Sequence, residues 1–165
     1  MSGANRPAGD PQTSPAACGP DPKTAIDQTI LHASCVSLHG RGALILGASG
    51  SGKSSLALGL MALGASLIAD DRVCLTRHGQ AIIACAPPPL AGLIEARGIG
   101  LLHADPGDPA AIACVIDLNQ TETDRMPPPR HTILLGQTVT LLFRVETPHF
   151  PAALLQFLKA GRHEV

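Results

Sequence analysis

The sequence predicts an α/β fold of the phosphate-loop kind with a mixed β-sheet, and three observations lead there. The run Gly47-Ala48-Ser49-Gly50-Ser51-Gly52-Lys53-Ser54 fits the pattern G-x-x-x-x-G-K-[ST]. In such a loop the glycines let consecutive backbone N–H groups turn inward around phosphate oxygens, the lysine adds a point charge, and the hydroxyl reaches Mg²⁺. The loop also has the flanks it needs: Ala43 to Leu46 reads as a buried strand, and from Ser54 onward Leu56, Ala57, Leu60, Met61 and Leu63 recur at helical spacing. The phosphates would then meet a helix N-terminus. Finally, strand-like segments dominate the remainder and are joined by short turn-like connections, which argues for a mixed sheet over a purely parallel one.

Along the chain, residues 1–23 are rich in Pro, Gly, Ala and Ser without an apolar block. They are expected to be a disordered N-terminal tail, neither a signal peptide nor a membrane span. One domain is expected over 24–165. Leu31 to Leu38 alternates well enough for a strand, and His39-Gly40-Arg41-Gly42 connects it tightly to the strand before the loop, so an antiparallel hairpin should precede the loop. Gly64 stands where the following helix would stop. Ala65 to Ala69 is a short strand ending in Asp70-Asp71. Arg72 to Thr76 and Ala81 to Ala86 read as two further strands, and Pro87-Pro88-Pro89 stops any ladder. Leu90 to Leu102 is apolar but carries two charges and two glycines around Glu95 and Arg97. Ala111 to Leu118 is a buried strand, Asn119 to Arg130 a polar loop, and Thr132 to Leu135 with Val139 to Val145 a hairpin. The chain closes with a helix that has Pro148 and Pro151 near its start and Gly161 at its end.

Composition narrows the function classes. The chain has 165 residues, 45% hydrophobic and 15% charged, with a formal net charge of −1 and no Trp or Tyr. There is no basic field for a nucleic-acid backbone and no large aromatic platform for bases, so no nucleic-acid partner is expected. The five cysteines show no C-x-x-C spacing, and neither they nor the histidines show zinc-ligand spacing. Cys18 falls in the tail. Cys35, Cys74, Cys85 and Cys114 lie in apolar runs and are expected as reduced, buried thiols of a cytoplasmic protein.

Asp70 and Asp71, at a strand end, are candidates to return beside the phosphates. One would order Mg²⁺ or its waters while the other takes a proton from an attacking hydroxyl. Adjacent residues cannot share one face of a strand, so their tasks should differ. Glu95 and Arg97 fit a metal-side carboxylate and a phosphate partner, and equally a surface ion pair. His32 on its own reads as an ordinary half-buried histidine. Arg125 could act as a guanidinium clamp on a transferring phosphoryl group, or simply be solvated.

Taken together, these positions resemble the catalytic domain of the HPr kinase/phosphorylase family. The resemblance runs from about Leu31 to Lys159. It is carried by His32, the run Gly47 to Ser54, the stretch Gly64 to Val73 with Asp70-Asp71, and Glu95-Ala96-Arg97-Gly98-Ile99-Gly100. It implies a phosphate-loop kinase fold related to phosphoenolpyruvate carboxykinase. The implied activity is ATP- and Mg²⁺-dependent phosphorylation of a serine on an HPr-type phosphocarrier of the phosphotransferase system. The loop residues Gly47, Ala48, Ser49, Gly50, Ser51, Gly52, Lys53 and Ser54, with Arg97, would hold the nucleotide, and Ser54 and Glu95 would hold Mg²⁺. His32, Lys53, Asp70, Asp71 and Arg125 would surround the reacting phosphate, with Asp71 the favoured base. A homo-oligomer, commonly a hexamer, and no membrane association are also implied.

Three departures qualify the resemblance. The chain has no room for the long form's separate N-terminal domain and is similar to the short alphaproteobacterial form. Where the long form has a Pro-Val-Arg-Pro-Gly-Arg-Asn stretch tied to dephosphorylation, this sequence reads Phe143-Arg144-Val145-Glu146-Thr147-Pro148-His149, leaving phosphorylase activity unsupported. Acidic residues usual in the family's loop are replaced by Ala48 and Ser55. The alternatives are a nucleotide-sensing binding module without phosphotransfer, and a small-molecule kinase, for which no arginine-rich lid is visible.

Overall fold

The structure is a computed structural model that describes residues 27–163. The expected tail over 1–23, with Cys18, lies outside the described residues. The single strand expected over Leu31 to Leu38 is two strands, β1 (Gln28–His32) and β2 (Ser34–Leu38), broken at Ala33. The two-residue turn His39-Gly40 has φ of 50° and 75°, the left-handed pair that matches the twist of a tight hairpin. β3 (Arg41–Leu46) therefore pairs back on β2 with Leu38 opposite Arg41, as the sequence predicts. Helix α1 (Lys53–Ala62) starts directly after the loop. Gly64, at φ 108°, follows it and donates its N–H to the Met61 carbonyl at 3.0 Å.

β4 (Ser66–Ala69), β5 (Arg72–His78) and β6 (Ala81–Cys85) come next. Pro88–Leu90 then forms one 3₁₀ turn. The stretch Leu90 to Leu102, whose sequence shows no clear period, holds a hairpin of β7 (Leu93–Ala96) and β8 (Gly100–His103). Four-residue strands carry too few alternations to register as a pattern, and the turn between them uses Gly98 at φ 82°. β9 (Ala110–Thr121) runs three residues beyond the expected strand, and β10 (Arg130–Leu134), β11 (Gln137–Arg144) and α2 (Phe150–Ala160) complete the chain.

Among the described residues nine strands form one sheet in the order β1-β5-β6-β9-β3-β2-β4, with β11 also on β9 and β10 beyond it. β9 pairs in parallel with both β3 and β11, and every other pairing in the sheet is antiparallel, so the sheet is mixed as predicted. β1 and β2 are consecutive and pair with the consecutive β5 and β4, yet these two halves of one ribbon sit at opposite ends of the strand order. The sheet is thus curled on itself. Alternation sends Ile45 and Ile116 to the face covered by α1 and α2, where Leu60 and Leu158 are fully buried, and sends Leu44 and Val115 to the inner face with Val73 and Leu75. No helix among the described residues is long and apolar enough to cross a membrane.

Cys35, Cys74 and Cys114 are buried and free, as expected. Cys85 is disulfide-bonded, which corrects its assignment as a reduced thiol. An apolar strand context describes the packing of a sulfur and says nothing of its covalent partner. Burial pushes the Cys35 thiol far up, and pushes Cys114 up to about 12. Thiolate is the reactive form. At about pH 8, iodoacetamide should therefore spare Cys35 and Cys114 in the folded chain and label both after unfolding; rapid native labelling read by mass spectrometry would contradict the packing. Leu60→Ala should lower the free energy of unfolding in urea by about 2–5 kcal/mol, the usual range for a deeply buried leucine.

Candidate active site

The phosphate loop connects β3 to α1, and its shape is dictated by glycine at particular places. A Cβ on Gly47 would sit 2.4 Å from Ser51 Oγ and 3.1 Å from Leu118 Cβ, so no side chain fits there. Gly50 and Gly52 have φ of 78° and 98°, which other residues rarely adopt. The Ser51 N–H closes a turn onto the Ala48 carbonyl at 3.0 Å. The Ser51 hydroxyl, packed under the loop, is buried without a hydrogen-bond partner among the described residues. Lys53 is only 7% exposed and donates to the Gly47 and Ala48 carbonyls at 3.0 and 3.1 Å. A buried ammonium needs such acceptors, and phosphate oxygens would be stronger ones. The first turn of α1 has no acidic residue, which leaves its positive end to an anion.

Asp70 and Asp71 lie at the break between β4 and β5, opposite the break at Ala33, whose N–H donates to the Asp71 carbonyl at 3.3 Å. Both aspartates lie outside the strands, and the left-handed backbone of Asp71 parts their side chains. Asp70 is 5% exposed and accepts from three donors: the Ser34 hydroxyl at 2.6 Å, the Ser54 hydroxyl at 2.8 Å, and the Glu95 backbone N–H at 3.0 Å. Asp71 is exposed, with φ 66°, and its Oδ1 lies 3.2 Å from His32 Nε2. His32 is likewise exposed, not half-buried, because the β1 edge leaves it facing the opening.

These groups line one cavity of about 700 Å³. His32, Lys53, Ser54, Asp70 and Asp71 share it with Glu95, which projects from β7. Ser49, Gly50 and Gly52 of the loop open onto the same space. Arg97, in the β7–β8 turn, also lines it, with Nη2 3.6 Å from where a Cβ on Gly50 would stand. Ala48 and Ser51 are held from behind the loop and do not line it. Arg125 is exposed in the loop after β9 and lies outside the lining. The donors around Ser54 are hard oxygens, namely its hydroxyl and the carboxylates of Asp70 and Glu95, which suits Mg²⁺. The described residues hold no group of three or more His, Cys, Asp or Glu side chains placed to hold a metal ion.

Three contributors escaped the sequence reading. Ser34 passed as one more strand residue, although a fully buried hydroxyl in an apolar run signals a buried acceptor. Asn119, whose Oδ1 accepts the Ala48 N–H at 2.9 Å, and Arg144, which donates to the Ser51 carbonyl, lie far from the loop in sequence and carry no local signal.

A curled mixed sheet with a glycine-dictated loop between a central parallel strand and a helix defines the phosphate-loop α/β class. The family described as HPr Serine kinase C-terminal domain matches residues 23–106, and the chain belongs to that family. HPr kinase/phosphorylase of Lacticaseibacillus casei is 47% identical over 73 residues, covering 44% of this chain and 23% of that protein. The Acidovorax sp. protein of the same description is 47% identical over 77 residues, covering 46% and 24%, and that of Mycoplasmopsis pulmonis 44% identical over 72 residues, covering 44% and 23%. The matched stretch is thus about a quarter of the length of these curated relatives. The structure titled Hpr(Ser) kinase/phosphatase from Coxiella burnetii superposes with a TM-score of 0.67 at 23% identity, covering 79% of this chain and 94% of that one, which establishes the likeness of fold.

Ser34→Ala removes a donor to a buried carboxylate. It should cost about 1.5–3 kcal/mol in urea unfolding, the range for hydrogen bonds to charged groups, and an unchanged midpoint would show that Asp70 does not depend on it.

Proposed function

We propose that residues 24–165 form the catalytic domain of an ATP- and Mg²⁺-dependent protein serine kinase of the cytoplasm whose acceptor is an HPr-type phosphocarrier. The observation that carries this reading is the division of labour between two adjacent carboxylates over one cavity. Asp70 is buried and tied to the phosphate-loop hydroxyl, while Asp71 is exposed beside His32. Family membership and the names of the relatives support the same activity.

In this reading the loop N–H groups and Lys53 hold the β- and γ-phosphates, with Lys53 giving up its bonds to the Gly47 and Ala48 carbonyls. Ser54, Asp70 and Glu95 would hold Mg²⁺, which when bound neutralises phosphate charge. The acceptor serine enters on the open side, against Asp71. Its Oγ forms a bond to the γ-phosphorus as the bond to the β–γ bridging oxygen breaks, and its proton passes to the Asp71 carboxylate. His32 keeps that carboxylate oriented, and Arg97, lying against Gly50, is placed to offset charge on the transferring group. Arg125 would serve as a clamp through movement of its loop or assembly of a homo-oligomer. Phosphorylase activity is not part of the proposal.

Transfer of labelled γ-phosphate from Mg-ATP to a purified HPr-type protein tests the reading. Phosphoserine should appear with the wild-type chain and vanish with Lys53→Ala, which should also lose tight ATP binding by calorimetry. Asp71→Asn should cut transfer by about 10²–10⁴-fold, the usual worth of a general base, while leaving ATP affinity within about threefold. Saturable ATP binding without a labelled acceptor would contradict the kinase and leave a nucleotide-sensing module.

A further inference from the structure

The family match ends at residue 106, yet two polar contacts that shape the phosphate loop come from beyond it. A phosphate loop works by aiming backbone N–H groups inward, so its outward groups need partners elsewhere in the protein. Ala48 N–H is committed to Asn119 Oδ1 at 2.9 Å, and the Ser51 carbonyl accepts from the Arg144 guanidinium. These two groups lie on either side of the Ser51-to-Ala48 turn.

Both supporting side chains are themselves fixed by the sheet. In the parallel pairing of β11 with β9, Phe143 stands opposite Asp117 but Arg144 opposite Thr121, so residues 118–120 bulge out of β9 at the level of the loop. A bulge re-aims a side chain, and this one delivers Asn119. Its N–H is pinned to Asp117 Oδ1 at 2.9 Å, and Leu118 from the same bulge closes against Gly47. On the other strand, the Arg144 carbonyl accepts the Glu122 N–H at 2.7 Å. Arg130, paired with Glu122, lies over the Phe143 ring at 4.7 Å. The Arg144 side chain thus leaves a strand end tied on both flanks.

We propose that Asn119 and Arg144 are positioning residues that hold the phosphate loop in its phosphate-receiving shape and thereby set nucleotide affinity without touching the nucleotide. The affinity part rests on the nucleotide reading above; the loop-holding part does not. Pre-organisation of this kind lowers the ordering cost of binding.

Two measurements on the full chain separate these parts. In hydrogen exchange of the free protein, Arg144→Met and Asn119→Ala should each speed exchange across residues 47–54 while α2 keeps its wild-type protection. In calorimetry with Mg-ATP, Arg144→Met should weaken binding about tenfold, as loss of one charge-assisted hydrogen bond implies, and Arg144→Lys should recover part of it. Unchanged loop exchange in both variants would overturn the proposal. So would faster exchange throughout α2 to the same degree, which marks general destabilisation. Should Arg144→Met fail to fold, Asn119→Ala carries the same test from an exposed position. A wild-type chain that binds no ATP would defeat the kinase reading and leave the loop-exchange result to decide whether these residues hold the loop.

Discussion

A carboxylate 5% exposed inside a protein has to be met by donors, and the arrangement of this fold around Asp70 follows from that requirement. Its three donors come from three separated places: Ser34 at the start of β2, Ser54 at the start of α1, and the backbone of Glu95 in β7. Each contact fixes an element. The first ties the broken ribbon together at its break, the second locks the helix that carries the phosphate loop, and the third brings the β7–β8 hairpin to the mouth of the cavity. With Asp70 occupied in this way, Asp71 is turned outward by a left-handed backbone and left to His32.

The curl of the sheet is the geometric partner of this constraint. Consecutive strands β1 and β2 belong to opposite ends of the strand order, and so do β4 and β5, which forces both ribbons to bend at Ala33 and at the Asp70-Asp71 pair. The bend gives the cavity its back wall, and the parallel strands β3, β9 and β11 bring their C-terminal ends to the phosphate loop, where open α/β sheets commonly bind ligands. The candidate site then falls at the place where the regular ladder is interrupted, a frequent home for unusual backbone conformations.

Features encoded locally were legible in the sequence. The phosphate loop, the start and stop of α1, the His39-Gly40 hairpin and the Pro and Gly bounds of α2 each depend on neighbours within a few residues, and each stands where the sequence places it. Asp70 and Asp71 do face different surroundings, but strand alternation, from which this was expected, is not the reason: both lie outside the strands, and the left-handed backbone of Asp71 parts them. The break at Ala33 was not legible, because an alternating run of apolar residues reads the same whether or not it changes partners midway. Neither was the β7–β8 hairpin, too short to show a period. Ser34, Asn119 and Arg144 acquire their meaning only through contacts with Asp70, Ala48 and Ser51, which no local pattern records.

The central claim is that the two aspartates divide the metal side from the proton-transfer side of one reaction. Calorimetric titration of ATP at rising Mg²⁺, performed on Asp70→Asn and Asp71→Asn in parallel, tests that division most directly. The account predicts that Mg²⁺ ceases to strengthen ATP binding in the folded Asp70→Asn chain and continues to do so in Asp71→Asn. Equal Mg²⁺ dependence in the two variants, or its loss in Asp71→Asn alone, would contradict it.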